Sequence, residues 1–309
     1  MRRFFPLLLT LLLFSCTHIK LARDAYKQEN YKETIIVCKK ILAADSTNIK
    51  ALELLSDAYL QLDVLDSAVF VVERQARLQP ENQKTVKKLY RLYLAQGEHA
   101  LSDDPKKARL VFAGAAELIP ERAAAFEKMG DAFFLQKQFV KSRTQYKAAL
   151  QRHADSTSVQ KKLAAIDSLQ NLANVAYEHG MTFLKANKYD AAKSEFAKAL
   201  EITPFWKEAK YQFHMASGMR LYKKGSVNAL WDAIDNFATA SLLHPDRAEP
   251  HYFLGLAYNK KDKDEYANAL DELHKAVQIE PESKWAKAAK KEAKKIVARK
   301  KKMEAFWSK

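Results

Sequence analysis

The sequence predicts an all-α protein, an α-solenoid of about seven helix-turn-helix repeats closed by a C-terminal capping helix. Three observations carry that prediction. A spacing recurs five times: a small residue, another seven positions later, and a proline five beyond that. Ala108-Ala115-Pro120, Ala192-Ala199-Pro204, Ala233-Ala240-Pro245 and Ala269-Ala276-Pro281 show it in full, and Ala68-Gln75-Pro80 with one substitution. The units that contain it follow one another at about 34 residues, the length of a helical hairpin repeat. Finally, the 309 residues are 48% hydrophobic with only 7 glycines, too few for the turns of a β protein.

The first sixteen residues are of another kind. Arg2 and Arg3 precede an apolar run from Phe4 to Phe14, interrupted by Pro6 and followed by Ser15-Cys16. The run is shorter than the ~20 residues of a bilayer span and has the form of an export signal. Leu13-Phe14-Ser15-Cys16 resembles the lipobox of bacterial lipoproteins, although Phe14 stands where a small residue is common. That resemblance implies removal of residues 1–15 and a diacylglycerol on the Cys16 sulfur. Thr17 after the cysteine, rather than aspartate, implies an outer-membrane destination facing the periplasm. Cys38 is then the sole remaining thiol, so no intrachain disulfide can form, and its spacing makes it a small core residue.

The repeats follow in order. The first, around Ala22, Tyr31, Thr34, Cys38 and Ser46, is degenerate. The second carries Leu52, Leu55, Ser56, Tyr59, Leu65, Ala68, Val72 and Pro80. In the third, about six residues are inserted between Tyr93 and Ala108, where Asp103, Asp104 and Pro105 suit a helix cap followed by proline in the first turn. The fourth shows Phe126, Met129, Gly130, Phe133, Phe139, Ser142, Tyr146 and Ala149. Val159, Leu163, Ile166, Leu169 and Leu172 then recur at helical spacing, so 157–172 reads as an extra helix, either a joint between two blocks or a spacer within one array. The fifth unit has Ala176, Gly180, Phe183, Tyr189, Ala192, Phe196, Ala199 and Pro204; the sixth also holds an insertion and can be registered on His214 or on Gly218. The seventh has His251, Leu254, Gly255, Tyr258, Tyr266, Ala269, Leu273, Ala276 and Pro281. The expected organisation is therefore a leader at 1–15, four repeats in 16–156, the extra helix at 157–172, three repeats in 173–282, and a basic capping helix with tail at 283–309.

These motifs resemble the tetratricopeptide repeat family. The residue types make mechanical sense, because helices approach to about 8–10 Å only where facing side chains are small, with aromatics filling the flanks. The resemblance implies that first helices of successive units line a groove that holds partner proteins. On that geometry the groove presents Lys84, Lys87 and Arg91 beside Glu53 and Asp57, then Tyr177, Met181, Leu184, Tyr252 and Leu256. Glu53 and Asp57 stand where the family's carboxylate clamp uses lysine and asparagine, so that clamp is not expected.

The chain carries a formal charge of +15. From Lys284 to Lys309 there are ten lysines and Arg299 against Glu292 and Glu304. Trp285, Ala289, Ala293, Ile296 and Val297 form an apolar stripe that would seat this helix on the last repeat, with Lys300, Lys301 and Lys302 beyond it. The eight histidines include no pair at helical zinc-site spacing, and no phosphate-binding glycine loop or nucleophile constellation is present. The expectation is thus a protein without enzymatic activity, metal or cofactor. It would be a membrane-anchored adaptor or scaffold for protein partners in a bacterial envelope complex, with no nucleic-acid role. The alternatives are a module binding anionic lipid or cell-wall glycan through the basic C-terminal helix, and a non-catalytic accessory subunit of an envelope enzyme.

Overall fold

A computed structural model describes residues 17–263 and 266–307. Cys16 and the leader lie outside the described residues. Among the described residues the chain is all α-helical, of the helical-repeat class, with fifteen helices. These pair as α1 (17–27) with α2 (Tyr31–Ala44), α3 (Ile49–Gln61) with α4 (Leu65–Leu78), and α5 (Gln83–Ala100) with α6 (Pro105–Leu118). Then come α7 (Ala123–Leu135) with α8 (Phe139–Leu150), α9 (Ser156–Lys185) with α10 (Tyr189–Ile202), and α11 (Lys207–Lys224) with α12 (Val227–Leu243). The last pair is α13 (Ala248–Lys261) with α14 (Tyr266–Ile279), followed by α15 (Lys284–Trp307). Contacts divide the chain into two compact units, 1–164 and 165–309, and the division falls within α9. Residues 157–172 are the first half of that 30-residue helix.

Five of the hairpins close where a glycine on the first helix meets a large buried residue on the second. A Cβ on Gly180 would lie 2.6 Å from Phe196, one on Gly218 2.5 Å from Phe237, and one on Gly255 2.6 Å from Leu273. Gly97 meets Phe112 and Gly130 meets Tyr146 in the same way. Gly218 therefore sets the register of the sixth hairpin, while His214 hydrogen-bonds Asn236 at 3.0 Å. The insertions of the third and sixth units lengthen their first helices: α5 and α11 each have 18 residues, against 13 in α3 and α7.

Two turn types repeat as well. Within five of the hairpins the chain reverses through one residue of left-handed backbone, Glu29, Asp63, Lys137, Asn187 or Gly225. After it the N–H reaches back to close the helix, as in Val64 to Tyr59, Gln138 to Phe133 and Lys188 to Phe183. At five of the joints between hairpins proline takes the second position of a β-turn; α2–α3 has Ser46 there, and α8–α9 turns through left-handed His153. Asn82 donates to Gln79 across Pro80, and the same bond spans Pro120, Pro204, Pro245 and Pro281. Proline thus sets the turn, its fixed φ suiting that position, in addition to ending the helix.

Two outcomes follow from this packing. Gly180→Val should lower stability by about 1–3 kcal/mol through overpacking, read as a lower urea midpoint, and pairing it with Phe196→Leu should recover part of that loss; strictly additive losses would contradict the contact. Cys38 is fully buried, and burial pushes its thiol up to about 12. In a Cys16→Ser chain, a thiol reagent at pH 8 should label Cys38 only after denaturant is added.

Candidate functional site

The register of the small residues defines which side chains the first helices share on one face. The positions three before and one after it are Glu53 and Asp57 on α3, Leu94 and Glu98 on α5, and Glu127 and Asp131 on α7. In this first unit a lysine from the following first helix answers Asp57, Glu98, Glu127 and Asp131, while Glu53 accepts from Gln75 at 3.5 Å. Lys88 reaches Asp57 at 2.6 Å, and also Ser56; Lys128 reaches Glu98 at 2.6 Å; Lys162 reaches both Glu127 and Asp131 at 2.7 Å. Burial pulls the Lys162 ammonium down, but its hydrogen bonds to Asp131 and Glu127 outweigh that and hold it above the usual lysine range. Lys84, Lys87 and Arg91 lie exposed on α5 and carry no ion pair, whereas Lys88 between them is the residue engaged with Asp57.

In the second unit the same positions are Tyr177 and Met181 on α9, Met215 and Met219 on α11, and Tyr252 and Leu256 on α13. Met215 is buried. Met181 and Leu184 lie half-exposed beside Ala192, Phe196 and Ala216. Met219, Tyr222 and Leu256 are half-exposed over the core of the last two hairpins. The tyrosines are braced. Tyr177 has its ring 4.6 Å from Trp206 and 5.5 Å from Phe196, and Tyr252 lies 5.4 Å from Trp285 and 5.1 Å from Phe253. Burial, and then the charges of Glu208 and Glu178, pushes the Tyr177 hydroxyl up to about 12. Lys260 donates to the Tyr222 carbonyl at 2.7 Å.

A polar joint between the last two hairpins escaped the sequence reading. Arg247 grips Glu208 through two hydrogen bonds of 2.9 and 2.7 Å and lies 4.4 Å over the Tyr211 ring. Tyr211 donates to Glu249 at 2.9 Å, and His251 pairs with Glu272 at 2.6 Å. Burial raises the Glu208 carboxyl, yet the bonds from Arg247 and Gln212 more than offset it and hold the group below its ordinary range. Glu272 is likewise held low, its burial outweighed by bonds from His251 and Lys275. Glu249 is pushed up, mainly by burial.

Among the described residues no group of three or more His, Cys, Asp or Glu side chains could hold a metal, and no helix is long and apolar enough to cross a membrane. Antiparallel helix pairs repeated in register, with proline turns between them, define a helical-repeat scaffold of the kind that binds other proteins. More particularly, the α9–α10 hairpin matches the tetratricopeptide repeat family model, over residues 173–205. The chain is 26% identical over 155 residues to human protein O-mannosyl-transferase TMTC1, a match that covers 49% of this chain but only 17% of that protein. Among solved structures it is similar to the TPR domain of P58(IPK), with a TM-score of 0.38 at 12% identity, covering 93% of this chain and 99% of that one. It is also similar to the TPR2AB domain in the yeast Sti1 complex with pHSP90, with a TM-score of 0.35 at 15% identity, covering 92% and 96%.

The polar joint has a pH signature. Glu208 and Glu272 have lowered values in the folded chain, so what they contribute to stability is complete above the ordinary glutamate value of 4.5 and is lost as pH falls through their folded values. Glu249 acts with the opposite sign. Urea midpoints measured from pH 6 to pH 3 should therefore fall less steeply for Arg247→Gln than for the parent chain. Equal slopes would show that Arg247 does not set the Glu208 titration.

Proposed function

We propose that this chain is a membrane-tethered adaptor that holds a protein partner of a bacterial envelope complex on the first-helix face of its second unit. The supporting observation is the contrast between the two units. In the first, Asp57, Glu98, Glu127 and Asp131 of that face are answered by Lys88, Lys128 and Lys162. In the second, the face offers Met181, Leu184, Met219, Tyr222 and Leu256, half-exposed and apolar, with braced aromatics beneath. Methionine side chains adapt to varied apolar partners, and rigid aromatics give contact area at little entropic cost. Tyr177 and Tyr252 set the floor of this surface, while Met181 and Leu256 are the groups a partner would touch. Attachment to the outer membrane, facing the periplasm, rests on lipidation of Cys16.

Crosslinking in intact cells tests the surface. Met181→Glu with Leu256→Glu should abolish recovery of a specific envelope protein while leaving the helical circular dichroism unchanged; undiminished recovery would exclude this face. Cys16→Ser should move the protein from the membrane pellet to the soluble fraction, and a variant still in the pellet would exclude the lipid anchor.

A further inference from the structure

Helix α15 was expected to be a simple lid, yet it keeps the register of a first helix. Ser283 caps it as Asn48 caps α3. Counting from each helix's first residue, the small residues that seat a first helix on the preceding hairpin are Ala51 and Ala58 in α3 and Ala125 and Ala132 in α7. Ala286 and Ala293 occupy the same places in α15 and are buried. The positions that seat the hairpin's own second helix are Leu52, Leu55, Ser56 and Tyr59 in α3, and Phe126, Met129, Gly130 and Phe133 in α7. In α15 they are Lys287, Lys290, Lys291 and Lys294, all exposed.

Alongside these lysines runs a trough of about 500 Å³ between α14 and α15. Val277, Ala293, Val297 and Ala298 supply its apolar lining, with His274, Lys290, Lys294 and Lys301 at its edges. Val297, expected in the buried stripe, is 38% exposed here. Among the described residues no carboxylate lines the trough, and Lys290, Lys291, Lys294 and Lys301 have no ion pair, unlike Lys295 with Glu292 and Lys300 with Glu304. The site is therefore a helix seat with an apolar base and uncompensated positive edges.

We infer that this seat takes an acidic amphipathic helix from a partner protein, lying where the second helix of an eighth hairpin would lie. The lysine stems can cover the apolar side of such a helix while their ammonium groups reach its carboxylates. A second copy of this chain would bring the same lysines and be repelled. A flat anionic bilayer would meet the ridge of α15 but not the trough beside it. The seat shares no residue with the first-helix face described above, so either surface can fail without the other.

The test uses the full chain and a fluorescein-labelled, helix-forming 18-residue peptide of Leu and Glu in which leucines form one stripe. Fluorescence anisotropy should show saturable binding. An isomeric peptide with the same charge and scattered leucines should bind at least tenfold more weakly. Lys290→Glu/Lys294→Glu/Lys301→Glu should weaken binding at least tenfold, and Val297→Asp at least fivefold, with thermal unfolding close to that of the parent for both. Benzoylphenylalanine in place of Ala298 should photocrosslink the peptide. Absence of binding, equal binding of the two peptides, or indifference to both variants would overturn the inference. So would tighter, lysine-dependent binding to phosphatidylglycerol vesicles than to the peptide, which would make α15 a membrane contact.

Discussion

The close approach of two helices within each hairpin rests on one complementarity of size, and the repeat depends on it. The first helix contributes a residue with little or no side chain; fifteen to nineteen positions later the second helix contributes a fully buried partner. Where the first residue is glycine the partner is large: Phe112, Tyr146, Phe196, Phe237 or Leu273. Where the first residue is Ala22 or Ser56, the residues at the matching positions are the smaller Cys38 and Val72, also fully buried. Volume is exchanged across the contact while the interior stays close-packed. The first hairpin, whose sequence looks degenerate, obeys the same rule with its volume divided differently. Ser142 adds a polar tie in the fourth hairpin, donating to the Gly130 carbonyl at 2.8 Å.

That exchange explains why the architecture was legible. A small residue, a second small residue seven later and a proline five beyond are local and periodic, and they report two packing contacts and one turn. The within-hairpin turns left no such trace, because Glu29, Asp63, Lys137 and Asn187 take the left-handed backbone that glycine usually marks. Such residues cost about 1 kcal/mol or more each in that conformation, and the helix pairing on either side holds them there. The register of the sixth hairpin was ambiguous for a related reason. With α11 lengthened, His214 and Gly218 both fall at plausible spacings, and only the ring of Phe237 distinguishes them.

The candidate site was less legible because it depends on which residue of a helix faces the neighbouring hairpin. Lys84, Lys87, Lys88 and Arg91 crowd two turns of α5, and one-dimensional spacing could not single out Lys88 as the partner of Asp57. The lysine ladder has a long-range period: Lys88, Lys128 and Lys162 lie 31, 30 and 31 residues beyond Asp57, Glu98 and Asp131. Only an array already in register brings those pairs together. Their energetic weight grows with burial. Exposed pairs give about 0–1 kcal/mol, but Lys162 serves two carboxylates that are each about one-fifth exposed, 20% and 21%. Leaving those two acids without a cation would strand charge in a partly dry surface.

Net charge acquires a meaning from this arrangement that a whole-chain value conceals. A charge of +15 spread evenly would raise solubility and little else. Here the first unit pairs its first-helix lysines with acids one hairpin back, and the joint between the sixth and seventh hairpins does the same with Arg247 and Glu208. On α15 the corresponding acids would come from α13, whose register positions are Tyr252 and Leu256, and the α14 side of the trough carries His274 and Val277. Asp271 and Glu272 on the same helix are both engaged by Lys275. Among the described residues Lys290, Lys291, Lys294 and Lys301 of α15 have no ion pair, while Lys287, Lys295 and Lys300 pair with Glu282, Glu292 and Glu304. Within about 8 Å, the screening length at physiological salt, several like charges act together on whatever approaches. The same repeat rule that neutralises cations elsewhere therefore concentrates uncompensated positive charge on the last helix, beside an apolar strip that the preceding hairpins would have covered with a helix of their own.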